Sequence, residues 1–266
     1  MSYQPKIYRE QGGANLIVKE DGQIRLTEAA RPRGFRRLSQ RFELIWVAGQ
    51  RGKPSINADI QNSAEATRMI ADPDFEILGG NASSDDVTFN VEGGIKIETD
   101  GGGTDSVIVL PHLDANQSAW AQVTWGTDQE TEWQAHIKTG SAITAQVIWA
   151  GLKLTNTDVT ATDNDQVFFR FAPSVNSGKW QAIYSIAGTD SANDSGVTVA
   201  ASTEYVFTIT IDSGRIARFY INGVLVLTST ALADTTDLIP YIGILESAAA
   251  AKHMLIFGQA ISRKFA

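Results

Sequence analysis

Three acidic residues in one short run come nearest, in this sequence, to the carboxylate pair that acid–base catalysis requires. Asp128, Glu130 and Glu132 lie within the run TDQETEWQ, and Glu130 and Glu132, two residues apart, would share one face of a β-strand. Glycoside hydrolysis uses two carboxyl groups that flank the scissile bond. The run is therefore the first candidate for a catalytic site.

The spacing of these acids differs from that of known sugar hydrolases. The retaining glucanases that adopt the concanavalin-like sandwich use the pattern Glu-x-Asp-x-x-Glu, and the order and spacing here are different. A solvated acidic strand face is the favoured interpretation.

The three histidines offer no second catalytic group. His112, His136 and His253 lie in separate runs without paired spacing, and we interpret each as structural. The sequence contains no Gly-x-Ser-x-Gly elbow, no cysteine nucleophile and no His-Glu-x-x-His pattern. We therefore predict that the protein is not an enzyme.

An acidic loop could hold a cation. Asp158, Asp163, Asn164 and Asp165 lie within eight residues, and their oxygens are of the type that Ca²⁺ prefers. The loop lacks the glycine and the terminal glutamate of an EF-hand, however. A turn in which these side chains bond to their own backbone is the favoured interpretation, so no metal or cofactor is predicted.

Tryptophans could form a platform for stacking sugars. Most of the six lie at alternating positions beside Val, Ile and Phe, which indicates a core or a subunit interface. Burial of Trp120, Trp125 and Trp133 would remove the platform that a glycan-binding function needs.

Positive charge is concentrated near the N-terminus. Residues 1–68 contain 12 Lys and Arg against 7 Asp and Glu, whereas the rest of the chain contains 10 against 23. Between Ala29 and Lys53 there are seven cations and one acid, Glu43. Such a segment could bind nucleic acid, bind an acidic protein surface, or be an ordinary solvated tail.

The apolar residues between these cations favour a protein surface. Phe35, Leu38, Phe42, Ile45 and Trp46 need burial, and no known nucleic-acid-binding motif surrounds them. We therefore predict an extended basic N-terminal arm, residues 1–71, that binds another protein, with nucleic acid an unlikely partner.

The whole composition is that of a globular protein. The chain has 266 residues, 43% of them hydrophobic and 20% charged, and no cysteine. The N-terminal residues are polar, and no segment has the roughly 18 apolar residues that spanning a bilayer requires. We predict a protein made in a reducing cytoplasm that neither is exported by a signal peptide nor has a membrane partner.

Beyond residue 72 the apolar pattern has a period of two. About a dozen short runs rich in β-branched and aromatic residues are separated by Gly, Asn, Asp and Ser clusters, which predicts an all-β domain over residues 72–266. Asn222-Gly223, between two such runs, predicts a tight hairpin because both turn positions need positive φ. The expected architecture is a β-sandwich or a closed sheet.

Two stretches of the sequence resemble known proteins. The opening YQPKIYREQGG, Tyr3 to Gly13, resembles the N-terminal segment of structural proteins of tailed bacteriophages, including capsid decoration and head-fibre proteins. The body is similar to the β-rich domain that accompanies it, through runs such as DPDFEILG and WAGLKLTNTDVTATDNDQVFFRFAP. The run DSGRIARFYINGVLV also resembles the strand-turn-strand of concanavalin- and laminin-G-like jelly rolls.

This resemblance implies a jelly-roll β-sandwich in a virion structural protein, namely a capsid decoration or cement protein on the capsid exterior. The implied partner is the major capsid protein, and the implied assembly is a homotrimer. The alternative is a glycan-binding head-fibre or tail adsorption module. The residues expected to bind the capsid are Tyr3, Pro5, Ile7, Tyr8, Arg31, Arg33, Arg36, Arg37, Arg41, Phe42 and Trp46.

Overall fold

The computed structural model describes residues 7–9, 16–18, 41–56, 71–111, 124–155 and 163–264. The chain divides into two compact units, Met1–Arg41 and Phe42–Ala266. No helix in these ranges is long and apolar enough to cross a membrane.

Eighteen β-strands account for most of the described residues, and the helical segments among them are two short 3-10 turns, Ser84–Asp86 and Asn176–Gly178. In chain order the strands are β1 (Ile7–Arg9), β2 (Leu16–Val18), β3 (Arg41–Val47), β4 (Lys53–Ser55), β5 (Ala71–Leu78), β6 (Val87–Phe89), β7 (Ile95–Glu98), β8 (Ser106–Pro111), β9 (Glu132–Thr139), β10 (Gln146–Lys153), β11 (Gln166–Phe171), β12 (Lys179–Ile186), β13 (Thr189–Thr198), β14 (Glu204–Ile211), β15 (Ile216–Ile221), β16 (Val224–Ala231), β17 (Ile239–Glu246) and β18 (His253–Lys264).

In the first unit, β1 and β2 form an antiparallel pair, with Tyr8 opposite Ile17. In the second unit, sixteen strands form two sheets. One sheet has the order β13-β12-β11-β10-β17-β8-β5-β4; the other has the order β16-β15-β14-β9-β18-β7-β6, and its eighth strand, β3, pairs with β18. The predicted all-β sandwich is therefore confirmed.

The main core lies between the inner faces of the two sheets, where alternate side chains of each strand are buried. Phe169 of β11 stacks on Phe207 of β14 with ring centroids 4.6 Å apart, and it meets Phe219 of β15 edge-on at 5.4 Å. Burial of each such ring contributes about 1.5–3 kcal/mol. The period-two pattern of the sequence is thus the pattern of this core.

The described tryptophans lie in the interior, as the sequence predicts for most of the six. Trp125, Trp133 and Trp180 are fully buried, and Trp46 and Trp149 are each 3% exposed. Trp120 lies outside the described residues. Trp125 and Trp133 are therefore not available as an exposed sugar platform.

The sandwich begins well before the predicted boundary at residues 71 and 72, because β3 and β4 are strands of its two sheets. Trp46 of β3 packs on Phe75 at 4.2 Å between centroids, and its Nε1 donates a hydrogen bond to Asp72 Oδ2 at 2.6 Å. Burial raises the pKa of Asp72, while hydrogen bonds from the Asp74 amide and Trp46 oppose that rise. Phe42 packs 5.9 Å from Trp125. Phe42 and Trp46 therefore pack within the sandwich and do not form part of a separate arm.

A second apolar cluster lies on the outer face of the sheet that contains β10 and β17. Trp149, Phe168 and Tyr241 are its large buried members. Gly243, opposite Trp149, leaves room for the indole: a Cβ there would lie 2.8 Å from Trp149 Nε1. Burial raises the pKa of the Tyr241 hydroxyl well above its usual value, so Tyr241 stays neutral.

The predicted Asn222-Gly223 hairpin is present. Asn222 and Gly223 have φ of 51° and 81°, and they connect the antiparallel strands β15 and β16. Positive φ at both positions is the requirement of a tight two-residue turn.

Candidate functional site

A groove of about 320 Å³ lies on the outer face of the sheet that contains β9, β14 and β18. Small residues of β18, Gly258 and Ala260, are among those that line it, between Ile45 and Val47 of β3 and Val206 of β14. Because the small residues stand lower than their neighbours, the groove is a trough in an otherwise continuous sheet face.

Ile45 and Val47 form an exposed wall because the residue between them points inward. Trp46 is in the core, so strand alternation places its neighbours on the outer face, where Ile45 is 63% and Val47 is 50% exposed.

A β-bulge supplies the aromatic side chain of the groove. Ile256 pairs with Ile137 and Gly258 pairs with His136, so Phe257 is an extra residue without a partner on β9. The Phe257 ring is half-buried and lies 4.6 Å from the His136 ring, centroid to centroid. The bulge thereby brings an aromatic ring to the outer face beside a histidine.

Gly258 permits β3 to approach β18. A Cβ at Gly258 would lie 2.5 Å from the main-chain oxygen of Trp46. Any other residue there would push β3 away from β18 and open the wall of the groove.

Polar side chains follow β9 and β14 along one side. Gln134 Nε2 donates to Thr208 Oγ1 at 3.0 Å, and His136 Nε2 lies 3.2 Å from Glu204 Oε2. Lys138 lies 4.0 Å from the other oxygen of Glu204. This side of the groove therefore offers the amide of Gln134, and Glu204 lies between His136 and Lys138.

Gln259 is also one of the lining residues, but its side-chain amide points into the core. Gln259 is 3% exposed, and its Oε1 accepts a hydrogen bond from Trp133 Nε1 at 2.8 Å. Its Nε2 has no hydrogen-bond partner within the described part of the chain, and an unpaired buried amide costs about 1–3 kcal/mol.

The predicted acidic strand face is divided between two elements. Glu130 lies in the turn before β9, with φ of 49°, and forms an ion pair with Lys264 at 2.8 Å, whereas Glu132 begins β9. No group of three or more metal-ligating side chains occurs within the described ranges.

Asp163 of the acidic loop bonds to its own segment, as the turn interpretation predicts. Its Oδ2 accepts hydrogen bonds from the amides of Leu154 and Thr155 at 3.0 and 3.1 Å, and its Oδ1 accepts one from Thr155 Oγ1 at 2.7 Å. The buried Lys153 Nζ lies 3.9 Å from Oδ2. Asp158 lies outside the described residues.

The residues predicted to bind a capsid fall into three groups. Ile7 and Tyr8 belong to β1, and Arg41 begins β3. Phe42 and Trp46 are packed in the sandwich, so Trp46 is a core residue and not an exposed residue of an arm. Outside the described residues lie Tyr3, Pro5, Arg31, Arg33, Arg36 and Arg37.

Of the three histidines, His136 lines the groove. His253 begins β18 and does not line it, and His112 lies outside the described residues. Sequence reasoning did not identify Phe257, Gln134 or Glu204. A bulge leaves no mark in an alternating pattern, and only the break at Phe257-Gly258 within the last strand hinted at one.

The sequence matches no known protein-family model and no curated protein. Solved structures share the fold. A protein of unknown function from Shewanella oneidensis MR-1 has a TM-score of 0.54 at 15% identity, over 85% of this chain and 87% of that one. Peanut lectin has a TM-score of 0.54 at 11% identity, over 85% and 99% of the two chains. The carbohydrate recognition domain of Emp46p has a TM-score of 0.51 at 7% identity, over 78% and 95%. The second unit is therefore a concanavalin-like jelly-roll sandwich.

Proposed function

We propose that the chain is a structural protein of a tailed-bacteriophage virion, a decoration or cement protein that binds the major capsid protein on the capsid exterior. The observation that carries the proposal is that most of the N-terminal positive charge belongs to a unit separate from the acidic sandwich. Met1–Arg41 contains 9 cations and 4 acids, and Phe42–Ala266 contains 13 cations and 26 acids. A basic attachment unit joined to an acidic body suits a protein that binds by one end.

The proposed attachment combines two kinds of contact. The arginines before Phe42 pair with capsid carboxylates, and the segment from Tyr3 to Tyr8 adds as a strand to a capsid edge. A protein that binds only the assembled lattice stabilises that lattice by mass action. The resemblance of the opening YQPKIYREQGG to phage structural proteins supports the same assignment.

Replacing Arg33, Arg36 and Arg37 by Glu is expected to abolish binding to bare capsids of the parent phage, because three attractive contacts become repulsive. Co-sedimentation with capsids measures the bound fraction. The matched control replaces Arg51, Lys179 and Lys264 of the sandwich by Glu, which changes net charge equally and is expected to preserve binding. Equal binding by both variants would contradict attachment through the basic unit.

The proposed assembly is a homotrimer, which suits the three-fold sites of capsid lattices. Sedimentation of the purified protein is expected to give three times the chain mass of 28.8 kDa. A mass of one chain at micromolar concentration would contradict a trimer in solution.

Glycan binding by the sandwich is a second candidate function. It is favoured by the groove, in which Phe257 offers an aromatic ring in place of the buried tryptophans and Gln134 offers an amide, and by a fold shared with a lectin and a carbohydrate recognition domain. An array of immobilised oligosaccharides, probed with the labelled full-length protein, tests it. Retention on no saccharide would contradict this function and leave the capsid proposal standing.

A further inference from the structure

We infer that the groove between β3 and β14 binds an uncharged pyranose unit of a glycan, an inference that rests on the second candidate function. The volume of about 320 Å³ lies at the lower end of the range of small-molecule sites, about 300–1,000 Å³. The groove is thus large enough for one sugar ring, and the adjoining sugars of the glycan would lie outside it.

The lining selects a ligand with two different faces. Gly258, Ala260, Ile45 and Val47 give the trough an apolar character that favours the C–H face of a sugar. Gln134 stands on the other side and is exposed, with Thr208 as its hydrogen-bonded neighbour. A pyranose, apolar on its faces and hydroxylated around its edge, matches this division.

The charges select an uncharged ligand. His136 is the only ionisable side chain among the described lining residues, and it faces Glu204. Glu204 also lies near Lys138, which in turn lies 3.3 Å from Glu92. The described lining therefore carries no permanent charge that could pair with an ionised ligand, which favours an uncharged one.

The floor of the groove does not suit an extended peptide. A peptide strand gains affinity from main-chain hydrogen bonds to a free strand edge. β18 pairs with β9 on one edge and with β3 as well, so the strand beneath the groove has its main chain engaged. Recognition must come from side chains, and Phe257 supplies the ring against which a sugar face can stack.

The test uses the full-length protein and an array printed with neutral and sialylated oligosaccharides, followed by calorimetric titration with the neutral oligosaccharide that binds best. Phe257→Ala and Gln134→Ala are each expected to weaken that binding about 10-fold or more. Ala260→Phe, which fills the trough, is expected to abolish it. Phe89→Ala is the matched control, since Phe89 is 51% exposed on the same sheet and does not line the groove.

Four outcomes are informative. Loss of binding in the groove variants, with unchanged thermal melting and unchanged binding by Phe89→Ala, supports the inference. Unchanged binding by Phe257→Ala and Gln134→Ala overturns the groove site but leaves glycan binding by the sandwich intact. Binding to sialylated saccharides alone overturns the uncharged ligand. Binding to no saccharide overturns both the groove site and the second candidate function.

Discussion

Deletion of Met1–Lys53 is expected to unfold the sandwich, whereas deletion of Met1–Gln40 is expected to leave it folded. The longer deletion removes β3 and with it Trp46, whose ring is buried against Phe75 and whose Nε1 bonds to the buried Asp72. Truncation of a buried Trp alone costs about 3–5 kcal/mol, a large part of the 5–15 kcal/mol that stabilises a domain. Urea unfolding followed by circular dichroism measures both deletions.

The point variant Trp46→Ala isolates the cause. It is expected to lower the melting temperature by about 6–20 °C, since the loss is about 3–5 kcal/mol and 1 kcal/mol corresponds to about 2–4 °C in a domain of this size. Ile45→Ala, at a neighbouring exposed position, is the control and is expected to change stability by about 0.5 kcal/mol or less. If the two variants melt together, β3 contributes nothing to the sandwich and the predicted boundary near residue 72 stands.

Replacing Asp163 by Ala is expected to destabilise the fold by about 3–5 kcal/mol. The change leaves the amides of Leu154 and Thr155 without their acceptor and removes a carboxylate 3.9 Å from the buried Lys153 Nζ. Removing one member of a buried ion pair is costly because the other member, here Lys153, stays charged and buried once the Asp163 carboxylate is gone. Chemical unfolding measures the difference in free energy.

Asp165→Ala is the matched control for this prediction. Asp165 lies two residues further along and accepts a single hydrogen bond, from the amide of Ala187 at 3.2 Å in an exposed position. We expect it to cost about 1 kcal/mol or less. Equal costs at Asp163 and Asp165 would show that the burial of Lys153 and Asp163 does not matter to stability.

The sandwich could be predicted because a strand with one buried face alternates apolar and polar residues in its sequence. The run TEWQAHIK predicts β9, and Trp133, Ala135 and Ile137 are indeed its core side. β13 could not be predicted in this way. Its sequence TDSANDSGVT is nearly all polar, because it is the last strand of its sheet and most of its side chains are exposed.

The cations on either side of β3 make its sequence typical of the basic arm. Phe42, Leu44 and Trp46 do alternate as in a strand with one buried face, but three apolar positions among so many charges do not distinguish a strand of the sandwich from an arm that binds another protein. The groove could not be predicted at all. It depends on which strand lies beside which, and on a bulge that places Phe257 and Gly258 on the same face. Neither property is local in the sequence.

Because of its position in the chain, β3 is the strand through which a mechanical force on the N-terminal unit reaches the sandwich. The chain leaves the first unit at Arg41, and that residue is already the first residue of β3. Any tension applied to the N-terminal unit therefore enters the sandwich through this strand, whose far end carries Ile45, Trp46 and Val47. A pull strong enough to peel β3 from β18 would remove one wall of the groove before any later strand of the sandwich detached.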